Sequence, residues 1–466
     1  MSGGRRRLAV AMALVLGAGL AVVGPDAAAS AHGGSAAAPR DVVSAYFADW
    51  DVYGRGYHVK DIPADRLNVI QYAFGVPGFD PATGTPSCGV LDPWADYQQP
   101  YTADLAVTGV ADDANDPDQH LYGSFHQLRE LKAAHPGLKV EISLGGWTKS
   151  TWFADVAATA PRRQAFVAAC LDTFIRGNLP GGGWPAGAGG AGAAAGLFDG
   201  IDLDWEYPTQ AAGGNVGYGP ADRHDATLLA QEFRRQLDAL GAAGHTHYLL
   251  TAAMPAARHA TDYFELRSFT ASLDWANVMT YDFNVPGGTV AGPDTLFTGD
   301  PRDPNAGDPT WNTVGTVGWY LAHGVPADKV VVGVPFYGNQ YVRSGGLYQP
   351  FDNTGLDANS LQWDQAPQPT YHDLVDVAGI VGANGWTARW DAHAGEPYLL
   401  NPAATHQLAG GPLTAPTVVA YSDPRSIGER TALVRALHLR GAMAWEISQD
   451  ADSHALIAAL APILRR

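Results

Sequence analysis

The chain has 466 residues, enough for two or three average domains or one large barrel, and its 46% hydrophobic content excludes a disordered chain. Its 29 Lys and Arg stand against 47 Asp and Glu, a net charge of -18 that repels phosphate backbones and anionic lipid. Nucleic acid and membrane surfaces are therefore not expected as partners, and two cysteines are too few for a disulfide scaffold or a Cys-rich metal site.

Residues 1–31 read as a secretory address. Arg5-Arg6-Arg7 precede an apolar run from Leu8 to Val23, Gly24-Pro25 breaks it, and Ala29-Ser30-Ala31 offers a small-x-small cleavage site. The apolar run is short for a membrane span. The expectation is a secreted, extracellular protein with a short leader at 32–40.

From there β-like runs recur at 42–47, 67–74, 139–144, 198–205, 248–253, 275–281, 329–335 and 441–447. Helix-like segments at 124–134, 162–175, 225–240 and 425–439 fall between several of them. Eight strands alternating with helices predict an α/β fold, a (β/α)8 TIM barrel over 41–466. An open doubly wound sheet is the rival, but Asp49-Trp50-Asp51 after the first strand is no glycine-rich phosphate turn. The GxGxxG letters at 187–192 precede a strand instead of following one, so they are no nucleotide fingerprint.

Three connections are long. The stretch 75–123 carries Cys88, Trp94, Tyr97 and Tyr101 and reads as rim, and 283–312 is rich in Pro, Gly and Asp. Residues 338–422, with β-like 385–390 and 417–421, read as a small α+β subdomain inserted between the seventh and eighth strands. Cys88 and Cys170 can pair in an oxidising compartment. The apolar pattern around Cys170 favours a buried thiol instead. His245-Thr246-His247 has metal-like spacing, but without an acid or Cys nearby in the sequence it reads as a solvated turn.

The fourth strand carries the chemistry. With a period of two, Asp202, Asp204 and Glu206 share one face and Ile201, Leu203 and Trp205 the other. Three acids turned into a barrel raise one another's pKa values, which suits a general acid. Pro208 lacks an amide donor and is expected to end the strand just after Glu206, at the C-terminal rim. Asp204 and Glu206 lie about 6–7 Å apart along a strand, nearer the inverting than the retaining range of paired carboxylates. Yet both stand on one side of a bound sugar, so a nucleophile is missing. A 2-acetamido group on the substrate could supply it.

At these residues the sequence resembles the family 18 glycoside hydrolases, the chitinases. Asp199-Gly200-Ile201-Asp202-Leu203-Asp204-Trp205-Glu206 matches the family's DGxDxDxE signature. Tyr46-Phe47-Ala48-Asp49-Trp50 is similar to the first strand, Ser143-Leu144-Gly145-Gly146-Trp147 to the SxGG motif, and Met279-Thr280-Tyr281-Asp282 to MxYD. Trp445 resembles the eighth-strand tryptophan, and the long insertion resembles that of the bacterial deep-cleft subgroup.

The resemblance implies a retaining, substrate-assisted chitinase acting on chitin and chitooligosaccharides, without metal or organic cofactor and as a monomer. It implies Glu206 as general acid and then base. Asp204 would orient the acetamido group, with Asp202 sharing its proton, and Tyr281 would donate to the acetamido carbonyl. Asp282 and Met279 would line that subsite, Trp445 would floor it, and Trp147 beside Gly146 would stack on the leaving-group side. Trp50 and Tyr53 stand at the rim, for sugar stacking or for packing. One position departs: Asn339 stands where relatives commonly have an arginine, with Arg343 the candidate replacement. An endo-β-N-acetylglucosaminidase acting on N-glycans needs the same chemistry. A chitin-binding lectin on the same barrel would have lost its acid.

Overall fold

Eight parallel strands close on themselves in a computed structural model that describes residues 38–356, 367–408 and 411–465. The expected address segment and most of the leader lie outside the described residues. The barrel strands are β1 (Val42–Ala48), β2 (Val69–Asp80), β4 (Lys139–Gly145), β5 (Gly200–Asp204), β6 (Leu249–Pro255), β7 (Trp275–Met279), β8 (Val330–Pro335) and β13 (Gly441–Trp445), with β3 (Thr85–Val90) hairpinned onto β2. Pairing of β1 with both β13 and β2 completes the cylinder. The (β/α)8 barrel is present.

The period-two pattern explains its two cores. Outward residues such as Val43, Phe47, Ile142, Ile201, Leu203 and Val332 pack under the surrounding helices. Inward Tyr46, Phe74, Trp275, Tyr281 and Met443 form a separate interior cluster. All eight expected strands occur, but β5 is shorter than its run at both ends. Phe198 packs edge-on against Phe125 and Phe174 before the strand begins. At the far end the Glu206 N–H donates to Ser150 Oγ at 3.0 Å, so pairing stops at Asp204, before Pro208 is reached.

Helices Gly123–Ala134, Ala160–Cys170, Asp222–Gly244 and Pro424–Ala436 match the four expected, each within a few residues. Thr159 caps the second and Pro161 occupies its first turn, where a missing N–H costs nothing. Past Cys170 it widens into a π-helical turn, Leu171–Ile175.

Three expectations need correction. Cys88 and Cys170 form a disulfide that ties β3 to the helix Ala160–Cys170. Burial and bonding are compatible, because β3 lies against that helix and both residues are buried. His247 is not simply solvated: its Nε2 meets Asp274 Oδ1 at 2.7 Å, an acid too distant in sequence to be noticed. In the connection 75–123, Trp94 is half-exposed, whereas Tyr97 and Tyr101 are buried and not rim.

Between β8 and β13 the chain builds a second, antiparallel sheet from β9 (Asn339–Val342), β10 (Thr387–Asp391), β11 (Glu396–Leu408) and β12 (Gly411–Ala420), in the order β10-β11-β12-β9. The fully buried pair Arg430–Glu396, at 2.5 Å, joins this sheet to the last long helix of the barrel.

Candidate active site

The C-terminal ends of the barrel strands surround a cavity of about 270 Å³. Asp204, Glu206, Met279, Tyr281, Asp282, Trp445, Trp147 and Trp50 all line it, from five separate stretches of the chain. Asp202, Gly146 and Tyr53 do not.

Asp202 lies one layer deeper and is fully buried. In the strand register Ser143 and Thr251 stand opposite it on either side, so short polar side chains reach it laterally. Its Oδ2 accepts from Tyr46 Oη and Ser143 Oγ, both at 2.7 Å, and its Oδ1 from Thr251 Oγ1 at 2.6 Å and Asn277 Nδ2 at 3.1 Å. Burial raises the Asp202 pKa, and these four bonds oppose the rise.

Asp204 and Glu206 both line the cavity, and their charges act on each other, so their titration belongs to the pair. Burial, then the charges of Glu206 and Asp202, pushes Asp204 well above the usual carboxylate range. Glu206 is raised to about 7, chiefly by burial, while the Tyr207 hydroxyl works in the opposite direction. Four neutral donors occupy the oxygens of Asp202, and Asp204 feels the charges of both Glu206 and Asp202. Tyr281 is held far above its ordinary pKa by burial and by Asp282, so its hydroxyl stays a neutral donor.

The glycines before Trp147 are required by closeness. Gly145 and Gly146 have φ of 105° and 80°, and a Cβ on Gly146 would meet the Phe74 ring at 2.6 Å. Gly146 also donates its N–H to the Asp204 carbonyl at 2.9 Å. It shapes the wall without touching the cavity. Trp445 forms a surface with Phe74, stacked at 6.0 Å, and with Tyr46 at 5.1 Å. Trp147 is 53% and Trp50 37% exposed, as ring faces offered to a ligand would be. Tyr53 instead donates to Asp92 Oδ2 at 2.6 Å, a rim contact.

Several contributors escaped the sequence reading. Tyr46, Phe74 and Tyr337 line the cavity, and Ser143, Thr251 and Asn277 hold Asp202. Tyr46 and Ser143 stand inside the quoted motifs, and the others are marked only by their place on or just after a barrel strand. Arg343 does not replace the expected arginine. Its Nη1 donates to the carbonyls of Asp352 and Thr354 at 2.7 and 3.2 Å, away from the cavity. Asn339 is fully buried and donates through Nδ2 to Asp294 Oδ1 at 2.7 Å and to the Asn284 carbonyl at 2.8 Å.

The family model for Glycosyl hydrolases family 18 matches residues 42–450. The chain is 36% identical over 434 residues to Chitinase C of Streptomyces lividans, covering 90% of this chain and 59% of that protein. It is 33% identical over 437 residues to Chitinase A1 of Niallia circulans, covering 87% and 56%. The chain therefore spans little more than half the length of these two relatives. Among solved structures, the catalytic domain of psychrophilic chitinase B from Arthrobacter TAD20 superposes with a TM-score of 0.76 at 31% identity, over 91% of this chain and 94% of that one. A chitinase from Bacillus thuringiensis gives 0.74 at 31%, over 92% and 70%. The chain belongs to family 18 of the glycosyl hydrolases.

Proposed function

We propose that the protein is a secreted chitinase, cleaving β-1,4-N-acetylglucosamine linkages of chitin and chitooligosaccharides with retention of configuration and assistance from the substrate's acetamido group. The observation that carries this reading is the convergence of Asp204, Glu206 and Tyr281 on one cavity.

Glu206, with a pKa raised to about 7, keeps a proton near neutrality and can deliver it to the glycosidic oxygen. Asp204 leaves the same strand end, so neither acid reaches the opposite face of a sugar lying over both. The acetamido carbonyl oxygen supplies the nucleophile, forming an oxazolinium as the leaving group departs. Tyr281 donates to that carbonyl, and the Asp204 carboxylate stabilises the positive charge that develops. Such preorganised electrostatics commonly lower a barrier by several kcal/mol. Glu206, now ionised, takes a proton from water, and the water opens the oxazolinium on the face that the leaving group vacated. Trp445 floors the subsite, with Met279 and Asp282 at its side and Trp147 toward the leaving group.

Export is supported by the basic and apolar pattern of residues 1–31 and by the Cys88–Cys170 disulfide, a bond typical of oxidising compartments. Acetamido participation is tested by comparing chitooligosaccharides with cello-oligosaccharides of equal length. Turnover confined to the acetamido sugars is the expected result. Comparable turnover of both would overturn the substrate-assisted reading.

A further inference from the structure

Asp282 lines the cavity, and its carboxyl is not alone. Tyr337 donates to its Oδ1 at 2.7 Å. Behind it lies Asp294, only 2% exposed, whose carboxyl is raised well above its usual range by burial and by the neighbouring charge of Asp282. Two neighbouring carboxyl groups can hydrogen-bond to each other only when one of them carries a proton. Asp294 Oδ1 is occupied by the Asn339 amide, and its Oδ2 finds no N–H or hydroxyl donor among the described residues. Asn339 is itself fixed, with Nδ2 on the Asn284 carbonyl and Oδ1 accepting from Gln368 Nε2 at 3.2 Å. The Phe283 N–H to the Asp294 carbonyl, at 2.9 Å, anchors the backbone of the two segments together.

A neutral amide thus stands where the family resemblance leads one to expect a guanidinium. A guanidinium would neutralise Asp282 and hold both of its oxygens. Asn339 can do neither directly, since its amide stops at Asp294. A protonated Asp294 restores the second feature only: with Tyr337 on one oxygen of Asp282, it presents an O–H to that carboxylate and adds no charge of its own. Asp282 then remains a single anion pinned between Tyr337 and Asp294. That anion matters to the chemistry, because its charge contributes to raising Glu206 and to keeping the Tyr281 hydroxyl neutral.

We propose that Asp294 is a positioning residue of the active site: clamped by Asn339, it donates a hydrogen bond to Asp282 and fixes that carboxylate at the cavity wall in place of an arginine. The proposal deepens the chitinase reading and rests on it for its kinetic consequence, but not for the shared proton. Asp294→Asn keeps size and can still donate to Asp282. Asp294→Ala cannot.

Two measurements on the full chain separate the cases. Infrared difference spectra of wild type minus Asp294→Asn, taken without substrate near neutral pH, should contain a protonated-carboxyl C=O band that Asp294→Asn lacks. On soluble chitooligosaccharides, Asp294→Ala should lose about ten- to a hundredfold in kcat with a much smaller change in KM, as expected for misplacement near the reacting centre. Asp294→Asn should retain most of the kcat. Absence of the band from the difference spectrum overturns the proposal. So does an Asp294→Ala variant with wild-type kcat, or an Asp294→Asn variant impaired as severely as Asp294→Ala. Should Asp294→Ala fail to fold, the infrared comparison and the Asp294→Asn kinetics still decide. Failure of the wild type to cleave any chitooligosaccharide would sink the chitinase reading instead, and the infrared result would stand apart from it.

Discussion

Ser150 accepts the backbone N–H of Glu206 at 3.0 Å and passes its own hydroxyl proton to the carbonyls of Gly146, at 3.0 Å, and Asp204, at 3.2 Å. The acid's main chain therefore hangs from a residue on the neighbouring barrel loop. Removing that hydroxyl strands a buried donor, which costs about 1–3 kcal/mol. Ser150→Ala should lower stability by that order in chemical denaturation and reduce kcat more than it changes KM. An unchanged kcat would mean that the Glu206 main chain needs no such support.

Asp202 is expected to be the site's structural keystone. Asp202→Ala leaves the buried donors of Tyr46, Ser143 and Asn277 without their acceptor, while Thr251 keeps Glu141 Oε1 at 3.1 Å, so a loss of about 3 kcal/mol or more is expected. Asp202→Asn keeps two acceptor sites on its oxygen and should cost less. Urea melts of the two variants, read against each other, check the order.

The pH dependence follows from Glu206. Its acid form is needed for leaving-group departure, so kcat should fall as pH rises through about 7. Stability moves with the same group. A carboxyl whose folded pKa is raised above its unfolded value favours folding most at low pH, and that advantage is lost as pH climbs through the folded value. Glu206→Gln carries no such charge. It should exceed wild type in stability above pH 7 by at most about 3 kcal/mol, with the gap closing as pH falls toward the ordinary carboxylate range. A gap that widens on acidification would contradict the assignment.

The disulfide closes a stretch with a sequence separation of 82. Replacing both cysteines by serine should therefore cost about 2–5 kcal/mol. Because neither sulfur approaches the cavity, kcat at a temperature where the variant is folded should be unchanged. Thermal unfolding alongside initial rates tests both halves.

Much of this site was legible because a strand's alternation is rigid. Once Asp202, Asp204 and Glu206 were read as one face, Ile201 and Leu203 had to face the helices, as they do. What stayed hidden depends on lateral register or distant contacts. Ser143 and Thr251 meet Asp202 only because adjacent strands align them, and Asp294 reaches Asp282 from a loop no periodicity describes. The early end of β5 was missed for a related reason, since a serine from another loop outcompetes the neighbouring strand for the Glu206 amide. Cys170 looked like a buried thiol because its own helix pattern says nothing about the hairpin that lies across it.

The most direct test is to follow product anomers by NMR as the mature chain and its Glu206→Gln variant act on soluble chitooligosaccharides. Early β-anomers from wild type, with almost no product from the variant, are expected of a retaining enzyme whose acid is Glu206. Early α-anomers would contradict the acetamido mechanism. Undiminished cleavage by Glu206→Gln would contradict the acid itself.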